Sequence, residues 1–208
     1  MEDTCIGIVD YDAGNIQSVI NALNHIGVKN ELVSDPNRLS SFDGLIIPGV
    51  GSFDDAMHSL SKKGLIDGLN SIKGLRPVLG ICLGMQVLCQ SSEEGNEAGL
   101  GWIDACVKSI DVSDSKIKVP HMGWNQVNDT FNPLFSGIPN NTDFYFVHSF
   151  CVTSQDANLT QSNSDHGEIF ISAFSKDNIY GVQFHPEKSQ DHGLTLLTNF
   201  IEVCHGQK

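Results

Sequence analysis

Residues 77–86 constrain the fold more than any other stretch of this 208-residue chain. Residues 77–81 form a short apolar run that reads as a buried strand. Cys82 follows at once between Gly80 and Gly84, and Met85-Gln86-Val87-Leu88-Cys89 reads as the start of a helix. A strand that turns straight into a helix brings two backbones close together, and a β-carbon at either flanking glycine would clash there. The same strand-then-helix rhythm runs through the first half of the chain. Residues 5–10, 31–33 and 45–47 are short apolar strands. Ile16, Val19, Ile20, Leu23 and Ile26 recur at helical spacing over residues 15–26, which Gly27 ends. Residues 54–60 and 65–72 read as helices leading back to the Cys82 strand. This alternation predicts an α/β fold, a mostly parallel, doubly wound open sheet with flanking helices.

The second half predicts an additional β region. Residues 100–130 read as irregular β structure in two pieces, 102–110 and 116–119. Pro120-His121-Met122-Gly123-Trp124-Asn125 reads as a loop with an unusual density of aromatic, imidazole and amide groups, either a contact surface or a packed β-corner. Residues 142–150 form an aromatic-rich strand, 168–174 another, and 179–184 the last. Residues 193–203 read as a closing amphipathic helix. With no internal repeat or low-complexity linker, one domain over residues 1–208 is expected.

Cys82 on its sharp turn is the thiol version of a nucleophile elbow, with the helix that follows aiming free N–H groups at the sulfur. A lone cysteine there would read first as an ordinary buried residue beside a helix start, and it is the glycine frame and the rest of the chain that weigh against that reading. His185-Pro186-Glu187 leaves the last strand, and in an extended segment the first and third side chains face the same way. A cysteine nucleophile needs a base, and the base needs an orienting carboxylate, so Cys82, His185 and Glu187 are the candidate catalytic set. All three fall at the C-terminal ends of strands, where open α/β sheets bind their ligands. Pro48-Gly49-Val50-Gly51 directly follows a strand and can form a backbone nest for an oxyanion, or simply a turn. It lacks the Gly-Lys-Ser/Thr of a phosphate loop.

A net charge of −13 argues against nucleic acid or an anionic membrane as partner, and no apolar run is long enough to span a bilayer. The acidic residues 1–3 lead straight into a strand rather than a signal peptide, and six scattered cysteines form no C-x-x-C pair. A cytoplasmic protein with no metal site and no cofactor is expected. His25, His58, His166, His192 and His205 lack ligand-spaced partners, and His121 and His148 read as structurally hydrogen-bonded.

Gly80-Ile81-Cys82-Leu83-Gly84-Met85-Gln86 together with Phe184-His185-Pro186-Glu187 resembles the class I (triad) glutamine amidotransferases. Asp10 to Asn15, Pro48 to Gly51, Pro120 to Asn125 and His185 to Ser189 resemble, within that class, the glutaminase subunits of imidazole glycerol phosphate synthase. The resemblance runs nearly end to end. It implies hydrolysis of L-glutamine through a cysteine thioester, with ammonia passed to a separate (β/α)8-barrel cyclase subunit in a heterodimer of histidine biosynthesis. It further implies Cys82 as nucleophile, His185 as base and acid, and Glu187 as orienting carboxylate. Gly49, Val50, Gly51 and Leu83 would form the oxyanion site, and Gln86, Glu94, Ser149 and Phe150 the substrate pocket. Trp124, Asn125, Tyr145 and Lys188 would lie near the cyclase interface and ammonia exit. Two positions depart from the family pattern: Asp12, where glycine is usual, and Phe150, often tyrosine. Related subunits feed sugar-amidination enzymes of surface-polysaccharide synthesis. The triad by itself also suits a γ-glutamyl peptidase, and a silent binding module would be expected to have lost it.

Overall fold

A computed structural model describes residues 4–111, 113 and 117–206. Along the chain it places β1 (Cys5–Val9), α1 (Ile16–His25), β2 (Lys29–Val33), β3 (Gly44–Gly49), α2 (Phe53–Lys62), α3 (Leu65–Ile72), β4 (Val78–Cys82) and α4 (Leu83–Gln86). There follow β5 (Ser91–Ser92), β6 (Cys106–Ser109), β7 (His121–Val127), β8 (Thr142–His148), β9 (Phe150–Thr153), β10 (Thr160–Asp165), β11 (Ile169–Lys176), β12 (Ile179–Val182) and α5 (Gln190–His205). One sheet runs in the order β2-β1-β3-β4-β12-β11-β9-β6-β5, with β10 paired to β11, and β7 and β8 form a separate antiparallel ribbon. The pairs from β2 through β12 are parallel, and β11 turns antiparallel to β12 to begin the additional β region.

The apolar runs of the parallel strands are continuous because both sheet faces are covered. Leu45, Ile47 and Val78 point to the face packed by Phe53, Met57 and Leu60 of α2 and Leu65 and Leu69 of α3. Ile46, Leu79 and Ile81 point to the opposite face, packed by Val19 and Leu23 of α1 and Leu196 and Phe200 of α5. Burying such side chains contributes roughly 1.5–3 kcal/mol each.

Several expectations need correction. The helix after Cys82 is one turn, Leu83–Gln86, rather than a longer helix that starts over Met85–Cys89. Its continuation is blocked because residues 99–103 take the carbonyls: the N–H groups of Leu100, Trp102 and Gly101 donate to Val87, Leu88 and Cys89. That same use leaves Trp102 and Ile103 outside any strand. Residues 120–125 are largely strand rather than loop, since β7 begins at His121 and pairs along its length with β8. Residues 142–150 are two strands broken at Ser149. Of the expected strand at 116–119, Lys116 lies outside the described residues and 117–119 form no strand. The polar strand β10 was not expected. Its buried Ser162 and Ser164 are satisfied by donating to the Asp129 and Gln126 carbonyls.

The two glycines of the reversal are required by contact distance. A Cβ on Gly84 would stand 1.7 Å from the Ile47 carbonyl oxygen, and one on Gly80 2.4 Å from that of Gly84. Gly84→Ala should therefore cost about 3 kcal/mol or more, read as a shift in denaturant midpoint. Gly206→Ala, whose nearest neighbour would be 3.5 Å away, should change stability by less than about 0.5 kcal/mol. Equal, small shifts for the two would contradict the packing described.

Candidate active site

Cys82 ends β4 with φ 55° and ψ −111°, a conformation rare for a side-chain-bearing residue. The register Ile81↔Val182 between β4 and β12 brings the chain after Val182 out beside it. Gln183 comes first, donating from Nε2 to the Cys82 sulfur at 3.6 Å. The sulfur also lies 3.8 Å from the Val147 carbonyl. His185 is next, anchored by its N–H on the Tyr145 carbonyl at 2.9 Å.

Glu187 does not reach His185 through an extended segment, as the sequence led us to expect. Pro186 opens a single 3-10 turn over Pro186–Lys188 that folds the carboxylate back. His185 Nδ1 meets Glu187 Oε1 at 2.7 Å, with both side chains essentially fully buried. The same oxygen accepts a hydrogen bond from Asn15 Nδ2. Nδ1 therefore carries the proton, and Nε2 is the nitrogen left for chemistry. Nε2 is buried and forms no hydrogen bond of good geometry among the described residues. Burial pushes the His185 pKa down, but the pull of the Cys82 sulfur and of Glu187 more than reverses it, to about 9.

A cavity of about 280 Å³ opens over the sulfur. With Cys82 it is lined by Val50, Gly51 and Leu83, by Gln86 and Glu94, and by Pro120 and the segment Val147, His148, Ser149 and Phe150. Gly51 holds φ 122°, which only glycine adopts readily. Gly49 is the exception among the expected oxyanion residues: it does not line the cavity, and a Cβ there would strike the Tyr11 hydroxyl and Leu83. Gln86 Nε2 donates to the Phe150 carbonyl and to Gln183 Oε1, each at 3.1 Å. Glu94 lines the cavity while its Oε2 accepts from the Phe53 N–H at 2.9 Å.

Trp124 and Tyr145 face each other in the β7–β8 register with ring centroids 6.0 Å apart, and the Lys188 ammonium lies 5.9 Å over the Tyr145 ring; none of the three lines the cavity. Trp124 is about half exposed, and Met122, two residues before it, is 63% exposed. Asn125 does not join this surface group, because its amide turns inward to the Asp165 carbonyl and His121. Asp12 has φ 66°, which explains why glycine suits that position, and its carboxylate pairs with Lys63 at 2.8 Å. Among the described residues no cluster of three His, Cys, Asp or Glu side chains is arranged to hold a metal ion.

Three contributors were not assigned from the sequence. Asn15 sits in the Asp10–Asn15 motif, so its position was visible but not its reach to Glu187, 172 residues away. Gln183 looked like one more strand residue. Tyr11 donates its hydroxyl to the Pro48 carbonyl at 2.6 Å and so holds the Gly-Val-Gly strand in place, which only tertiary structure reveals.

The His185 titration makes a signed prediction. Its pKa lies at about 9 against an ordinary 6.5, so its ionisation stabilises the fold fully below about pH 6.5 and loses that effect as pH rises through about 9. Glu187→Gln should move the His185 transition downward in an NMR titration. The stability advantage of the unsubstituted chain should shrink across the same window. A wild-type transition at or below the ordinary value would contradict the electrostatics.

Comparison with known proteins agrees with this geometry. The profile of the family "glutamine amidotransferase class-I" matches residues 7–204. The chain is 46% identical over 200 residues to "imidazole glycerol phosphate synthase subunit HisH 2" of Methanococcus maripaludis, covering 95% of this chain and 98% of that protein. It is 45% identical to the HisH subunit of Sulfurimonas denitrificans, covering 95% and 97%. Among solved structures, PurLQS from Thermotoga maritima superposes with a TM-score of 0.76 at 15% identity, covering 98% of this chain and 99% of that one. A glutamine amidotransferase from Thermotoga maritima gives a TM-score of 0.66 at 16% identity, covering 100% and 95%. At those identities the structural neighbours establish the fold alone, whereas the profile and the sequence relatives establish the family: the chain belongs to the class-I glutamine amidotransferases.

Proposed function

We propose that this chain is the glutaminase subunit of an imidazole glycerol phosphate synthase, releasing ammonia from L-glutamine for a separate (β/α)8-barrel cyclase in histidine biosynthesis. The observation that carries the catalytic part is Cys82 lining the 280 Å³ cavity, together with the buried His185–Glu187 pair. The partner assignment is supported by relatives at 45–46% identity that bear the name of that synthase subunit.

The reaction runs in two halves. The Cys82 thiolate adds to the side-chain amide carbon of glutamine, and the carbonyl oxygen takes the charge. Backbone N–H groups of the Val50–Gly51 strand and of Leu83 receive that charge, an interaction worth on the order of 10²–10³-fold in rate per donor. His185 gives the proton on Nε2 to the departing nitrogen, so the C–N bond breaks and ammonia leaves as a neutral molecule. The glutamyl thioester is then attacked by water, which surrenders a proton to the same Nε2, and glutamate departs as the sulfur is released. Glu187, held by Asn15, keeps Nδ1 protonated and the ring aimed throughout.

Gln86, Glu94, Ser149 and Phe150 hold the amino-acid end of the substrate. Trp124, Tyr145 and Lys188 form the surface on which the cyclase docks and through which ammonia passes. The chain works as one domain over residues 1–208, in the cytoplasm, as one half of a heterodimer. No helix of the described residues is long and apolar enough to cross a membrane.

In the complex, Cys82→Ala should abolish glutamine-dependent synthesis, by more than about 10³-fold. Synthesis from added ammonium, carried out by the cyclase, should persist. Both rates, measured on the same co-purified complex, decide the matter. Loss of the two together, with the complex intact, would overturn the division of labour.

A further inference from the structure

Two buried histidines that the reaction does not use stand at the cavity: His148 lines it, and His121 is hydrogen-bonded to His148. His121 and His148 face each other across the β7–β8 ribbon, and each is nearly inaccessible to solvent. His121 Nδ1 lies 2.9 Å from His148 Nε2. His148 Nδ1 lies 2.8 Å from the Phe150 carbonyl oxygen. At the other end, Asn125 Nδ2 lies 3.2 Å from His121 Nε2.

The direction of every proton in this row follows from its ends. A carbonyl oxygen can only accept, so His148 carries its proton on Nδ1. Its Nε2 is then a bare lone pair in the neutral ring, and His121 must donate to it from Nδ1. That leaves the His121 Nε2 as an acceptor for the Asn125 amide. The orientation of Asn125 is fixed independently: its nitrogen donates to the Asp165 carbonyl at 2.8 Å and its oxygen accepts from the Gln126 N–H at 2.8 Å. Both ends thus impose the same order, and an added proton anywhere would set donor against donor. Burial first, and then the neighbouring imidazoles, with the His166 ring stacked on His121 at 4.0 Å, lower the pKa of His121 to about 4 and that of His148 to about 3. The row is therefore neutral under ordinary conditions, and it ends on a carbonyl that also accepts from Gln86 at 3.1 Å.

We propose that His148, seated by His121, is a positioning residue for glutamine binding: it aims the Phe150 carbonyl and, through it, the Gln86 amide that lines the cavity. This inference rests on the glutaminase reading. Phe150 opens β9 directly after Ser149, where the chain breaks between β8 and β9, and it is paired with Ser109 of β6. The buried, singly ordered row adds to that pairing a hold on the Phe150 carbonyl oxygen itself, at the start of the strand. Its outer end at Asn125 lies next to Trp124, so one hydrogen-bonded row joins the outer strand to the substrate wall.

Two measurements test this. In the wild-type chain, two-bond proton–nitrogen correlation spectra should show both rings as the Nδ1–H tautomer, the minor form of free histidine, unchanged at pH 6. An Nε2–H or cationic ring at either position would overturn the order whether or not the chain hydrolyses glutamine. In the complex with its cyclase, His148→Leu should raise KM for glutamine roughly 5–10-fold, the worth of one net hydrogen bond. Its kcat should change less than about threefold. His148→Asn, whose amide can stand where Nδ1 stood, should recover most of the KM. A purely structural role would leave the two variants alike. An unchanged KM in a folded His148→Leu complex, or no recovery with asparagine, would overturn the positioning role. Absence of glutamine turnover in the wild-type complex would instead overturn the functional reading on which that role depends.

Discussion

The conformation of Cys82 is what the rest of the site depends on. A side-chain-bearing residue at φ 55° and ψ −111° costs on the order of 1–3 kcal/mol and persists only where its surroundings over-determine it. Here they do so from two sides. The backbone at Gly84 lies so close to the Ile47 carbonyl that no β-carbon fits between them. The parallel pairing of Gly49 with Cys82 fixes the height of the turn relative to the neighbouring strand. Both constraints come from β3 and β4, whose apolar side chains are buried on both faces. The core thus sustains the strain, and the strain presents the sulfur at the carboxyl end of the sheet.

The same fold gives histidines opposite electrostatic characters. His185 is desolvated yet lies beside a carboxylate and a sulfur, and its pKa rises to about 9. His121 and His148 are desolvated beside carbonyl, amide, one another and the stacked His166 ring, and their values fall to about 4 and 3. Burial penalises the charge in every case, and the charge of the hydrogen-bond partner decides the net direction. One imidazole is thereby suited to moving protons and the other two to holding them still.

The parallel half of the fold was legible in the sequence because its signals are local. Apolar runs, helical spacing and the Gly-Cys-Gly turn each follow from a few neighbouring residues, and α3 falls where the periodicity put it, at Leu65–Ile72. The helix after Cys82 was overestimated because what ends it, the segment 99–103, is a tertiary competitor for its carbonyls. β10 escaped notice because its serines satisfy themselves on carbonyls from another part of the chain, so no apolar alternation marks it. At the site, the cysteine, histidine and glutamate were readable as residue types in a pattern. Asn15 on Glu187 and Tyr11 on Pro48 were not, because each is a long-range hydrogen bond from a polar residue whose direction only packing determines.

The central claim is that this environment makes Cys82 the chain's reactive thiol. The other cysteines provide the internal comparison. All six are free, and burial pushes the thiols of Cys151 and Cys204 up to about 12 and raises those of Cys5 and Cys89. The most direct measurement is therefore mass spectrometry of the chain after brief exposure to a glutamine-shaped electrophile, with and without excess glutamine. The account predicts one adduct, on Cys82, that glutamine suppresses. Labelling that begins at the more accessible Cys5 or Cys106, or that glutamine does not slow, would contradict it.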